Sequence, residues 1–339
     1  MKKHKVLYLP TATHTKRVFT PEKFAELTEE FDVTINQRNE AMTTEELAEV
    51  IGAYQALITG WGATPELTAE VMENADQLQI IAHSAGSVKH FVSQEIVERY
   101  LRPRGIVIFS GADAIAYNVA ESTVGMMIMT ARGWLDHARY VRETGGWRSP
   151  ELCLEEQYLM GATIGVVSAS MVGRHVLRLL EPWDCQILLY DPYVSAQEAE
   201  ALGAEKVELD ELFKRSQIVT VHAPSIPETY KMIGAQQLRL LRDGATLVNT
   251  SRGTVIDEQA LVQEAERLRI CLDVTDPEPP APDSPLRQSE NIILLPHISG
   301  TGAYGYHKIG EATVQALRDH FAGRPVQGAV DYDRFAILA

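Results

Sequence analysis

The chain has 339 residues, of which 45% are hydrophobic and 23% charged, a globular composition long enough for two packed domains. With 31 Lys and Arg against 46 Asp and Glu, the net charge is −15, which repels polyanions and argues against nucleic-acid or anionic-membrane partners. The isolated Cys153, Cys185 and Cys271 exclude a zinc knuckle or disulfide framework, so no metal is expected and a reducing, cytoplasmic setting fits.

Lys2-Lys3-His4-Lys5 is followed by apolar Val6–Leu9 and then Pro10, too short a run for a secretory core. It reads as an opening strand over Lys5–Leu9. No apolar stretch reaches the length of a membrane span. Strands are expected at Asp32–Ile35, Ala56–Thr59, Gln79–Ala82 and Ile106–Phe109. Between them, helices are expected at Pro21–Glu30, Thr43–Ile51, Pro65–Asn74 and Ser93–Arg99. A long helix follows over Ala116–Thr144. A second alternating series has strands at Thr163–Val167, Gln186–Tyr190, Ile218–Val221, Thr246–Asn249, Ile270–Asp273 and Ile292–Leu295. Its helices are expected at Val172–Leu180, Ala196–Leu202, Ala235–Leu241 and Glu258–Arg267. A last helix spans Gly302–Phe321, and the tail from Gly323 reads as irregular. Five prolines within Pro277–Pro285 mark a stiff surface loop. The pattern is α/β, with two doubly wound parallel-sheet domains.

Thr163–Val167 runs into Ser168-Ala169-Ser170-Met171-Val172-Gly173 and then a helix, the placement of a dinucleotide phosphate loop. Only Gly173 of the G-x-G-x-x-G glycines is kept, since Ser168 and Ser170 occupy the first two positions. Asp191 ends the next strand, where a carboxylate can accept both ribose hydroxyls and repel a 2′-phosphate. That combination favours NAD over NADP.

Three ionisable residues follow three strand ends: Arg252, Glu278 and His297. Ligands of open α/β sheets bind outside the carboxyl ends of the strands, so the three are directed at one crevice. A guanidinium can clamp a carboxylate in a bidentate pair and polarise an adjacent carbonyl. An imidazole can move the hydroxyl proton as hydride transfers, and a carboxylate beside it orients it. The chemistry suits 2-hydroxy acid/2-oxo acid interconversion.

These residues resemble the D-isomer-specific 2-hydroxyacid dehydrogenases. The resemblance runs from about Ala56 to Val330. It is carried by Ser84-Ala85-Gly86-Ser87-Val88, Asn118-Val119-Ala120-Glu121, the loop with Asp191, and Val221-His222-Ala223-Pro224 with Pro227-Glu228-Thr229. Val248-Asn249-Thr250-Ser251-Arg252-Gly253, Glu278-Pro279 and Pro296-His297-Ile298-Ser299-Gly300 complete it. It implies that Arg252 binds the substrate carboxylate and carbonyl, that His297 is the acid/base, and that Glu278 is its partner. Ala85, Gly86 and Ser87 would grip the substrate carboxylate. Cofactor contacts would come from Ser170, Met171, Val172, Asp191, His222, Pro224, Thr229, Thr250, Ser251, Arg252, Asp273, His297 and Gly300, with Asp273 near the nicotinamide carboxamide. A structural role for His222 is equally open.

The resemblance further implies a Rossmann-type cofactor domain, residues 112–298, inserted in a flavodoxin-like substrate domain formed by residues 1–111 and 299–339. It implies a homodimer and a small-molecule acid as substrate. His83 stands where many relatives have Arg, and Asp276 where Glu or Pro is more familiar. Trp61, His83, the Ser84–Val88 loop, Tyr304 and Tyr306 are candidates to line the side-chain pocket. Two other readings use the same residues: an NAD(H)-sensing regulatory protein on this scaffold, and a phosphite-type dehydrogenase.

Overall fold

The computed structural model describes residues 3–36, 40–149, 151–152 and 157–338, and Cys153 lies outside them. The chain divides into two units, Met1–Ile115 with Thr301–Ala339, and Ala116–Gly300.

The first unit holds β1 (Lys5–Tyr8), β2 (Asp32–Ile35), β3 (Ala56–Thr59), β4 (Ile80–His83) and β5 (Val107–Ser110), in the order β2-β1-β3-β4-β5. Every pairing is parallel, and this is the flavodoxin-like order. Strand side chains alternate faces, so both faces carry a core. Leu7, Leu57, Ile81 and Ile108 pack on one side, and Tyr8, Ile58, Ile80 and Phe109 on the other. The helix Ala303–Phe321 returns to cover the second face through Ile309, Val314 and Leu317. Gly310 permits that approach, because a Cβ there would sit 2.2 Å from the Val18 carbonyl oxygen.

The second unit holds β6 (Thr163–Val167), β7 (Gln186–Tyr190), β8 (Glu205–Lys206), β9 (Ile218–Val221), β10 (Thr246–Asn249), β11 (Arg269–Leu272) and β12 (Ile292–Leu294). Their order is β12-β11-β10-β9-β6-β7-β8, all parallel. This is the Rossmann order extended by one strand, and it reverses between β6 and β9. Fully buried runs such as Ile218–Val221 and Thr246–Asn249 are the signature of strands covered on both faces.

Several elements depart from the sequence expectation. The long helix is two helices, Ala112–Ala131 and Trp134–Thr144, broken at Gly133, whose φ of 58° is left-handed. A short helix, Ala12–Val18, capped by Thr11, follows β1 where none was expected. The helix expected from Pro65 starts at Ala69, behind the Thr68 cap. Strand β8 and the helix Leu209–Arg215 lie in a stretch without a clear apolar period. The tail is anchored rather than irregular: Ala329 bridges Phe109, and a 3₁₀ turn over Tyr332–Ile337 buries Phe335.

Candidate active site

The carboxyl edge of the second sheet is shaped by buried carboxylates. After β6 the chain turns at Ser168, whose φ of 77° is left-handed and costly for a residue with a Cβ. Asp191, at the end of β7, offsets that cost. Its Oδ2 accepts from the Ala169 amide at 2.8 Å and from Ser168 Oγ at 3.2 Å, and its Oδ1 accepts from the Tyr193 amide at 2.8 Å. Ser170 is the N-cap of helix Met171–Leu180, its Oγ accepting from the Gly173 amide at 3.3 Å. The amides of Met171 and Val172, in the first turn, have no intrahelical acceptor by position and offer an anion site. Gly173 is obligatory, since a Cβ there would lie 2.1 Å from the Ser168 carbonyl oxygen. Both serines thus serve the turn, one through its hydroxyl on Asp191 and one as a cap. The residues fit a dinucleotide pyrophosphate.

The exit of β10 is built from side-chain bonds to backbone. Asn249 Oδ1 accepts from the Ser251 amide and hydroxyl at 3.0 and 2.8 Å, and its Nδ2 donates to the Arg252 carbonyl at 3.0 Å. Thr250 Oγ1 lies 2.8 Å from Thr123 Oγ1 on helix Ala112–Ala131. Arg252 donates from Nη1 to the Ser251 carbonyl at 2.7 Å. Burial draws its pKa below the usual guanidinium range, and the nearby Glu278 carboxylate opposes that shift. Gly253 lies so close to the next loop that a Cβ would meet the Thr275 carbonyl carbon at 2.0 Å.

Beyond β11, Asp273 is buried, and both its oxygens accept hydrogen bonds. Ile298 donates its amide to Oδ1 at 2.8 Å, and Ser299 donates its amide to Oδ2 at 2.8 Å and its hydroxyl to the same oxygen. The His297 amide donates to the Asp273 carbonyl at 2.9 Å. These bonds hold His297 at a left-handed φ of 52°. Its Nδ1 lies 2.6 Å from Glu278 Oε1, with both side chains part-exposed. Arg252, Glu278 and His297, spread over 46 positions of the chain, are therefore joined, the first two by electrostatics and the last two by a hydrogen bond.

Residues 124–299 match the family model described as the NAD binding domain of D-isomer specific 2-hydroxyacid dehydrogenases. The chain belongs to that family. Its NAD-binding domain lies within the second unit, and NAD is its cofactor. A D-3-phosphoglycerate dehydrogenase of Archaeoglobus fulgidus is 30% identical over 86% of this chain and 54% of that protein. A glyoxylate reductase of Korarchaeum cryptofilum is 33% identical over 75% of this chain and 76% of its own. The chain spans about half the length of the D-3-phosphoglycerate dehydrogenases it matches, at 54%, 54% and 51%. In fold it is similar to a phosphoglycerate oxidoreductase of Rhizobium etli, with a TM-score of 0.82 at 22% identity over 97% of this chain and 99% of that one.

The other expected positions are placed as follows. His222 is buried at the end of β9, its Nε2 3.0 Å from Thr220 Oγ1, and burial pushes its pKa down to about 3. Thr229 Oγ1 accepts from the Ile226 amide at 3.0 Å and donates to the Pro224 carbonyl at 2.5 Å, which closes the loop between them. Gly300 accepts from Asn118 Nδ2 at 3.4 Å, and Ser299 from Ser122 Oγ at 3.0 Å. In the first unit, Ala85 is buried, and Gly86 and Ser87 are half-buried in the loop after β4. Ser110 Oγ donates to the Gly86 carbonyl at 2.6 Å.

Sequence reasoning gives no role to Thr123, Ser122 or Glu258, and it shows Ser299 only as part of the motif around His297. Glu258 Oε1 accepts from the Asp276 amide at 2.7 Å and so fixes the start of the loop bearing Glu278. Asn118 and Ser122 carry a readable signal, a polar pair spaced i, i+4 on an apolar helix. Glu258 carries none, since an acidic residue in a helix's first turn is ordinary.

Proposed function

We propose that the chain reduces a 2-oxo acid to the 2-hydroxy acid, with NADH as donor, and runs the reverse oxidation with NAD. The observation that carries this reading is the 2.6 Å contact between His297 Nδ1 and Glu278, in electrostatic reach of Arg252. Arg252 pairs with the substrate carboxylate and polarises the keto oxygen. With Nδ1 on Glu278, His297 presents Nε2 to that oxygen and donates the proton that completes the hydroxyl. When bound, NADH would supply the hydride. Glu278 fixes the ring orientation and stabilises its protonated form.

The cofactor role is assigned to the amides of Met171 and Val172 and to Ser170, Asp191, His222, Pro224, Thr229, Thr250, Ser251, Asp273 and Gly300, with Arg252 and His297 bordering the cofactor beside their catalytic roles. The substrate role is assigned to Ala85, Gly86 and Ser87. Residues 112–298 are read as the cofactor domain, and the remainder as the substrate domain. The setting is read as cytoplasmic, in keeping with free Cys185 and Cys271. A homodimer is also part of the reading. It draws support from the apolar side chains exposed along Trp134–Thr144 and from Trp147, 81% exposed.

The test is oxidation of NADH, followed by absorbance, with a broad panel of 2-oxo acids. Turnover of at least one is expected. Binding of NADH without turnover of any acid refutes the enzymatic reading.

A further inference from the structure

In the first unit, β3 and β4 run side by side in register, with Thr59 opposite His83. Their exits, Gly60-Trp61-Gly62 and Ser84-Ala85-Gly86-Ser87, are therefore neighbours at one sheet edge. The turn bearing Trp61 is pinned. Thr64 Oγ1 donates to the Gly60 carbonyl at 2.8 Å and accepts from the Gly60 amide at 3.2 Å. A Cβ at Gly60 would lie 2.6 Å from the His14 ring, so glycine lets the turn rest on that histidine.

His14 links Trp61 to the Ser84 loop. Its Nε2 is 2.9 Å from Ser84 Oγ, and its ring centroid is 5.2 Å from that of Trp61. On the other flank Tyr306, from the first turn of Ala303–Phe321, meets Trp61 edge-on at 5.4 Å and 69°. Ser84, His14, Trp61 and Tyr306 thus form one wall that starts beside Ala85. Burial holds the His14 pKa down at about 4, so its ring is neutral at pH 7. Trp61 keeps 39% of its surface exposed, although it is fixed on two sides.

We propose that the substrate is a 2-oxo acid with an aromatic or comparably bulky uncharged side chain, held against Trp61 and Tyr306. The inference rests on the dehydrogenase reading above. A pre-fixed indole offers a large apolar face with few rotamers to freeze, and it takes a second ring in offset or edge-to-face contact. A two-carbon acid leaves that face unused. Arg17 is exposed on the same helix as His14 and in electrostatic range of its ring, so an anionic side chain is the rival that a phosphorylated probe tests.

The experiment measures kcat/KM of the full chain with NADH and three probes: glyoxylate, phenylpyruvate and 3-phosphohydroxypyruvate. Wild type, Trp61→Ala and Trp61→Leu are compared. Phenylpyruvate is expected to exceed glyoxylate by about tenfold or more, and Trp61→Ala to cut that ratio by about tenfold, with Trp61→Leu between. A ratio at or below one, or 3-phosphohydroxypyruvate ahead of phenylpyruvate, overturns the substrate class while the dehydrogenase reading stands. Turnover of none of the three probes by protein that binds NADH overturns the substrate class, and the dehydrogenase reading falls with it only when the broad panel of 2-oxo acids also fails. Should Trp61→Ala fail to fold, the wild-type ratio and Trp61→Leu decide.

Discussion

Acid should unfold this protein through its buried histidines, and His83 isolates the effect. Its ring is fully buried, its Nδ1 lies 2.8 Å from Thr59 Oγ1, and the ring sits 4.9 Å from Phe91. Burial, with a smaller repulsion from His90 and His14, drives its pKa from 6.5 to about 3. The unfolded chain therefore takes up a proton near pH 6.5 that the folded chain refuses until about pH 3. Stability from this group is complete above pH 6.5 and is lost progressively as pH falls toward 3. Between pH 7 and pH 5 the loss is about 2 kcal/mol, at about 1.4 kcal/mol per pH unit below the unfolded value. Phenylalanine fits the aromatic slot but cannot titrate. His83→Phe forfeits the bond to Thr59, which costs about 1 kcal/mol at pH 7. At pH 5 the variant should equal or exceed the wild type. Urea unfolding by circular dichroism, repeated from pH 7.5 to pH 4.5, reads this crossover. A deficit in His83→Phe that stays the same at both pH values would show that the folded ring accepts a proton, and the argument would be wrong.

Two further outcomes follow from the second unit. His297→Asn should lower the rate of 2-oxo acid reduction by about 10²–10⁴-fold and leave the NADH dissociation constant, read by fluorescence titration, within about threefold of wild type. Gly253→Ala places a Cβ 2.0 Å from backbone at Thr275, which cannot yield as a side-chain tip can. It should cost about 1–3 kcal/mol of unfolding free energy by urea titration and reduce turnover with it, because the displaced loop carries Glu278. Unchanged stability and turnover would show that the loop is not held there.

The strands were readable because buried parallel strands are mostly apolar along their length, and β3, β9 and β10 are covered from end to end. Helix limits were harder to read. Nothing in the run Ala112–Thr144 distinguishes Gly133 from Gly125, yet only Gly133 adopts a left-handed φ. Short helices such as Leu209–Arg215 have too few turns for a period to emerge. At the site, Arg252, Glu278 and His297 were visible because each follows an apolar strand and stands among turn residues. The bonds that place them were not, since a contact such as Glu258 to Asp276 joins ordinary residues 18 positions apart.

The deviant phosphate loop shows how far a residue-by-residue comparison with a motif can mislead. A serine at a glycine position looks like a loss, because αL backbone is costly for any residue with a Cβ. Here Ser168 adopts that conformation and returns a hydroxyl to Asp191, the residue at which its amide neighbour also ends. Asp273 repeats the device at the end of β11: both its oxygens are spent on the turn after His297, another left-handed residue with a side chain. Charge-assisted acceptors of this kind are stronger than neutral ones, and a buried amide left without one is expensive. Each carboxylate thus stabilises a turn that glycine would otherwise allow by flexibility. The consequence at Asp273 is chemical as well as structural. The imidazole is aimed twice, its ring by Glu278 and its backbone by a carboxylate 24 residues earlier in the chain.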